Sequence, residues 1–207
     1  DARIKLSIGT KDYGRDDGVF DCPHGLVFDH HRGLLLVSDT WNHRVQVFSC
    51  DDDDGGSFVS KLGKEGDQPG QFHNPEGLAI DHDHDRILIT DSANHRVQSW
   101  SLGEQSFLSC IGHRGSRDLE FKNPQGIAID KHHRRIVIAD SNNHRLVFLS
   151  SIDLSFLFSV GKQGSQPGEF YWPTGIAIDD DRHRIIVCDA NNHRVQVLSS
   201  IDGSFLF

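Results

Sequence analysis

Carboxylates and imidazoles crowd three short stretches of this chain: Asp81-His82-Asp83-His84-Asp85, Asp130-Lys131-His132-His133-Arg134-Arg135 and Asp179-Asp180-Asp181-Arg182-His183-Arg184. Oxygen and nitrogen donors of these kinds can meet a divalent cation. In an extended segment neighbouring side chains point to opposite sides, so only two or three of each run could converge. Solvated turn residues are therefore the expectation. A second set of imidazoles (His43, His95, His144, His193) recurs between an asparagine and an arginine, too regularly spaced to gather on one ion. Cys22, Cys50, Cys110 and Cys188 show no C-x-x-C spacing, which argues against a zinc knuckle or a redox pair and leaves buried free thiols as the expectation. No nucleophile elbow or phosphate-binding loop is present.

Composition narrows the field further. A net charge of -9 opposes general attraction to nucleic acid or anionic lipid. Apolar residues make up 36% and charged residues 25%, with twenty glycines spread evenly, which describes a turn-rich globular chain of one domain. The longest apolar runs, such as residues 34–37 and 155–160, are strand-length and exclude a spanning helix. The chain starts at Asp1 and holds no methionine, which reads as a piece of a longer product. Without an N-x-S/T glycosylation acceptor or paired cysteines, a reducing, intracellular setting is expected.

These residues are positioned by a repeat. Pro23, Pro75, Pro124 and Pro173 are spaced 52, 49 and 49 residues apart, as are Asp39, Asp91, Asp140 and Asp189, and the extra residues of the first unit fall around 50–57. Each unit contains four short β-rich runs separated by turn residues, the period of a propeller blade. One such blade cannot bury both its faces, so the units must stack about an axis. The expected fold is all-β: four four-stranded blades at roughly 23–63, 75–112, 124–161 and 173–207. Residues 4–9 resemble the last strand of a preceding blade, and 204–207 claim the same slot, which suggests part of a five- or six-bladed ring completed by missing blades or another chain.

With Asn42-His43-Arg44, Asn94-His95-Arg96, Asn143-His144-Arg145 and Asn192-His193-Arg194 in matching places, the chain closely resembles NHL-repeat proteins over essentially its whole length. The family hosts varied functions, among them tripartite-motif ubiquitin ligases, RNA-binding repressors, sensor domains and an amidating lyase, so the resemblance is specific for fold alone. In the amidating lyases a histidine in a Pro-His context binds the catalytic zinc. Here only His24 fits that pattern, Glu76 is a conceivable second ligand, and Gln125 and Thr174 stand in the remaining places. Catalytic zinc needs three protein ligands and an open position, so catalysis is not expected.

Residues present in every unit build the blade. This assigns Asp39, Asp91, Asp140 and Asp189 to turns as acceptors of turn N–H groups. Asn42, Asn94, Asn143 and Asn192 should adopt the left-handed conformation there, with Arg44, Arg96, Arg145 and Arg194 beside them. Residues that break the repeat are the functional candidates. The connections at one end of the blades, the top, sum to about -2, while the Asp- and Glu-containing third-to-fourth connections at the bottom sum to about -7. On the top, Trp41, Arg114, Arg117, Tyr171 and Trp172 have no counterparts in the other units, whereas Trp100 sits at a core position. The expected function is a non-catalytic protein-binding or scaffolding module, for instance the recognition part of a ubiquitin ligase. RNA binding and zinc-dependent lyase-like chemistry are the alternatives. No cofactor, DNA partner or membrane insertion is expected.

Overall fold

In the computed structural model, which describes residues 7–50 and 56–207, the chain forms four antiparallel sheets, each a meander in chain order. Blade 1 contains β1 (Pro23–Asp29), β2 (Leu34–Asp39), β3 (Arg44–Ser49) and β4 (Ser57–Leu62). Blade 2 contains β5 (Pro75–Asp81), β6 (Arg86–Asp91), β7 (Arg96–Ser101) and β8 (Phe107–Ile111). Blade 3 contains β9 (Pro124–Asp130), β10 (Arg135–Asp140), β11 (Arg145–Ser150) and β12 (Phe156–Val160). Blade 4 contains β13 (Pro173–Asp179), β14 (Arg184–Asp189) and β15 (Arg194–Ser199). Its fourth strand is short: Phe205 bridges to Leu198, and the Val197 N–H donates to the Phe207 carbonyl at 2.9 Å. Of the expected strand at 4–9, residues 4–6 lie outside the described residues and 7–9 form no strand. Residues 51–54 also lie outside them.

The blades stack face to face. Leu36, Val45, Val47 and Leu62 of blade 1 pack on Leu78, Ile80, Ile87 and Ile89 of blade 2. The same exchange joins Leu88 and Val97 to Ile136 and Ile138, then Val137 and Leu146 to Ile185 and Val187. Alternation along each strand supplies both layers, because successive side chains point to opposite faces. Trp100 lies in this core, stacked on the fully buried Phe72 at 5.5 Å. The inner strands pack in the order β1, β5, β9, β13, and each end of this arc presents an apolar face. Leu26 on β1 is 70% exposed where Leu78, its counterpart on β5, is 7% exposed.

Near the axis the inner strands approach so closely that only glycine fits. A Cβ on Gly25 would stand 2.0 Å from the Glu76 carbonyl oxygen, one on Gly77 2.2 Å from that of Gln125, and one on Gly126 2.0 Å from that of Thr174. These distances are far inside van der Waals contact with backbone that cannot step aside, which explains the recurring Pro-x-Gly. Side chains cross the same seams: Ser38 Oγ donates to the Glu76 carbonyl and Thr90 Oγ1 to that of Gln125, both at 2.7 Å.

The cysteines depart from the sequence expectation. Cys22, Cys110 and Cys188 are exposed and Cys50 is partly so, all as free thiols. Cys110 falls on a solvent-facing position of the outer strand β8, and Cys188 on the open face of blade 4, where no further described blade covers it.

The seam geometry separates two otherwise identical substitutions. Gly77→Ala should cost about 3 kcal/mol or more by urea denaturation, because the added methyl overpacks against backbone. Gly175→Ala should be near neutral, since its Cβ would meet nothing closer than Cys188 Sγ at 3.5 Å. Equal losses would contradict this account of the seams.

Candidate functional site

The repeated Asp, Asn and Arg residues converge on the top of each blade. In blade 2 the Asp91 carboxylate is fully buried. Its Oδ1 accepts the His73 N–H at 2.7 Å, and its Oδ2 accepts Arg96 Nε at 2.7 Å, Gln98 Nε2 at 2.9 Å and Asn94 Nδ2 at 2.9 Å. Arg96 spends its remaining donors on the carbonyls of Asp67, Gln68 and Gln71, and Asn94 Nδ2 also donates to that of Gly66. One buried carboxylate thus anchors the side chains that fasten the whole incoming loop. Asp39 and Asp189 repeat the pattern with Gln46 and Gln196.

Blade 3 departs from it, because Val147 stands where the other blades have glutamine. Asp140 therefore keeps only the Lys122 N–H, Asn143 and Arg145 as donors. Burial pushes the Asp140 carboxyl above its ordinary range, with those three donors pulling it back.

Two details of the turn differ from the sequence expectation. The aspartate accepts no N–H from its own 3-10 turn in any blade, and takes instead the N–H of a residue eighteen positions upstream. The left-handed residue is the histidine: His43, His95, His144 and His193 have φ of 54° to 57°. The asparagines end the 3-10 turns, which aims each amide at its aspartate and at the loop carbonyl.

Left-handed backbone turns the first three histidines towards the next blade. His43 Nδ1 accepts the Asn74 N–H at 3.1 Å, His95 Nδ1 that of Asn123 at 3.1 Å and His144 Nδ1 that of Trp172 at 3.2 Å. An accepting Nδ1 must carry a lone pair, so these rings are neutral latches between blades. Burial lowers the pKa of all three below the ordinary 6.5. Sequence comparison of the units marks these histidines as recurrent, but the latch depends on a neighbour about thirty residues ahead. The recurrent Arg-Val-Gln of three units is the sequence sign of the glutamine donors.

Of the residues that break the repeat, Trp41 is 59% exposed and Tyr171 42% exposed, while Trp172 is half-buried. Tyr171 and Trp172 line a top-face cleft between blades 3 and 4, of about 330 Å³, together with Lys122, Asn142, His144 and Gln163. Arg114 lines an adjoining cleft that shares Lys122. Arg117 is exposed in the same loop, where its backbone N–H donates to the Glu120 carboxylate at 2.9 Å. Trp41 stands on blade 1 and lines neither cleft.

The axial channel is lined by His24, Gln125 and Thr174 along with glycines and aliphatic residues. Glu76 is not among its lining residues, and its Oε2 is buried and unpartnered. Burial raises its pKa, against the lowering pull of His24, Ser92 and Gln125. Among the described residues, the groups of three or more close metal-ligating side chains are Asp29/His31/His82 and His132/His133/His183, and neither contains His24 or Glu76. Among the described residues no helix is long and apolar enough to cross a membrane.

A family model described as NHL repeat matches residues 121–147 and 170–198, and one described as a 6-bladed beta-propeller matches residues 24–116. NHL repeat-containing protein 2 of Homo sapiens is 26% identical over an alignment of 100 residues that covers 44% of this chain and 14% of that protein. Protein brain tumor of Drosophila melanogaster is 29% identical over 91 residues, 44% of this chain and 8% of that protein. The chain therefore matches only a small part of these relatives' length. Among solved structures, Kuenenia stuttgartiensis hydrazine synthase superposes with a TM-score of 0.68 at 12% identity, covering 100% of this chain and 52% of that one. A chain of the nidogen/laminin complex superposes with a TM-score of 0.65 at 20% identity, covering 86% of this chain and 61% of that one. At such identities these likenesses concern the fold alone.

The histidine latches carry a pH signature. Their folded pKa values lie below the unfolded 6.5, so the stability they contribute is present above 6.5 and is lost as pH falls through the folded values. Urea denaturation between about pH 7.5 and 5 should show stability declining towards acid. His95→Gln, which can accept the same N–H without titrating, should reduce that slope. An unchanged slope would contradict the neutral latch.

Proposed function

The chain is an NHL-repeat β-propeller, and from that premise we propose that it is a non-catalytic binding module whose top-face cleft between blades 3 and 4 receives a protein segment. The observation that carries this reading is Trp172. It has a φ of 59°, in the left-handed region that Asn74 and Asn123 occupy at the equivalent places. Asparagine tolerates that conformation readily, while a bulky side chain is strained there by about 1 kcal/mol or more. A tryptophan kept at such cost, beside an exposed tyrosine, fits a side chain held ready for contact.

The surroundings favour a particular kind of segment. Tyr171 packs against the His144 ring, with centroids 5.4 Å apart, so its orientation is set before any partner arrives. Lys122 and Arg114 border the aromatic pair, while Glu169 is drawn towards Lys162 at 3.3 Å. Preordered aromatic rings flanked by cations suit a peptide that carries apolar and acidic side chains. Trp41 would extend the contact only for a larger partner that also reaches blade 1. Within a longer protein such a module supplies recognition, as in the ubiquitin-ligase arrangement that the resemblance implies. The same cations and rings would also suit stacked bases of single-stranded RNA, against which the overall charge of -9 counts.

Peptides selected from a displayed library on the intact chain test the reading. Tyr171→Ala should weaken their binding by about 2 kcal/mol, roughly thirtyfold, with little change in the urea midpoint. Arg114→Ala should weaken chiefly the acidic ones, and increasingly so at low salt. Selected peptides that bind Tyr171→Ala as tightly as the original would overturn the assignment. So would steeply salt-dependent binding of single-stranded RNA to the same cleft, with no peptide selected there.

A further inference from the structure

We propose that His132, His133 and His183, on the bottom face between blades 3 and 4, form a site for a divalent metal of the zinc class. His132 and His133 belong to the turn after β9, and His183 to the turn after β13, about fifty residues later. The structure brings one ring nitrogen of each within 4.8 Å of the other two. The ring centroids of His132 and His183 are 4.5 Å apart, and those of His132 and His133 4.7 Å. Zinc–nitrogen bonds of 2.0–2.1 Å in a tetrahedral arrangement need nitrogens about 3.4 Å apart. Small rotations of the partly exposed rings close that difference.

Two further features are compatible with ligation; the first is shared with blade 2, where His84 Nδ1 lies 2.9 Å from Asp81 Oδ2, and the second is particular to this junction. His133 Nδ1 lies 3.1 and 3.0 Å from the two carboxylate oxygens of Asp130, which is fully buried and also held by Arg135. With Nδ1–H donating to that carboxylate, the lone pair is on Nε2, and a carboxylate behind a ligating imidazole both orients the ring and strengthens it as a ligand. The second feature is on the other blade: His183 Nδ1 is buried and has no hydrogen-bond partner. A buried polar atom left unpaired is costly, and a metal would relieve that cost. The corresponding left-handed position holds Gly33, Asp85 and Arg134 in the other blades, so the turn itself does not require a histidine there. Its backbone is fixed by the Ser200 N–H, which donates to its carbonyl at 2.8 Å.

The group at the junction of blades 1 and 2 shows what such a cluster looks like when it serves another purpose. There Arg32 bridges Asp29 at 3.1 Å and Asp85 at 2.7 Å, which sets a guanidinium among Asp29, His31 and His82. A fixed cation in that place neutralises the carboxylate and repels a metal. At the junction of blades 3 and 4 Arg135 likewise holds Asp130, but that carboxylate stands behind an imidazole and is not one of the three ligands; Arg135 also reaches the Ser200 and Ile201 carbonyls, and Arg182 pairs with Asp179 at 3.4 Å. Three imidazoles without a thiolate or a first-rank carboxylate suit zinc, copper or nickel rather than calcium or magnesium. Three protein ligands leave a fourth position for water, and an ion held by two blades would staple them together at the face opposite the top-face cleft.

Calorimetric titration of zinc into the tag-free, chelator-stripped chain tests the site, with cobalt absorption as a second readout of four-coordinate geometry. One equivalent should bind with micromolar or tighter affinity and raise the melting temperature. Affinity should fall by about a hundredfold or more in His132→Ala, whose side chain is exposed, and in His183→Asn, which tolerates the left-handed backbone. His82→Ala and His24→Ala should bind as the original does. Absence of stoichiometric binding would overturn the proposal, as would binding undiminished in both His132→Ala and His183→Asn, or binding abolished by His82→Ala or His24→Ala.

Discussion

Each blade of this propeller depends on a carboxylate buried where the second strand ends. An ion there is tolerable only when its lone pairs are filled, and Asp91 collects a backbone N–H, an asparagine amide, an arginine Nε and a glutamine amide. The partners are not passive. The arginine and asparagine it holds carry the carbonyls of the loop that enters the blade, so the loop's course follows from the position of one anion. The top face inherits its shape from four such anchors, including the cleft that contains Tyr171 and Trp172.

Between blades a different economy applies. Inner strands meet at glycines, with no room for a Cβ, and the outer parts of the seam are filled by interleaved aliphatic layers. At the top of each seam an imidazole accepts an N–H from the next blade, which ties the anchored turn of one unit to the loop of another. Anchor and latch act in series. The aspartate fixes the loop within its own blade, and the histidine at the end of the adjoining turn fixes the loop that follows.

The period of the repeat made the strands, their order and the recurrent polar residues legible, because strand alternation and turn chemistry are local. Roles that depend on a second blade were not. Nothing around His95 indicates that Asn123 will present an N–H to it, and nothing within residues 130–135 indicates that His183 will stand beside His132. Local chemistry also misassigned the left-handed position to asparagine, since its amide is worth more on the carboxylate than in the turn. The usual burial of free thiols places Cys188 inside, yet it lies on the face of blade 4 that no described blade covers. Trp41 and Tyr171 could be singled out as departures from the repeat, but the clefts show that they stand on separate parts of the top.

Hydrogen exchange in Asp91→Asn tests the anchor most directly, because asparagine keeps the shape and removes the charge. The Phe72 N–H bonds to the Lys64 carbonyl and the Gly66 N–H to that of Phe72, so both amides report on the anchored loop. If the carboxylate sets the loop, these amides and that of His73 should exchange at least tenfold faster than in the original, a local loss of about 1.4 kcal/mol, while the amides of β6 and β7 keep their protection. Unchanged exchange in residues 64–74, or an equal loss across the whole blade, would contradict the account.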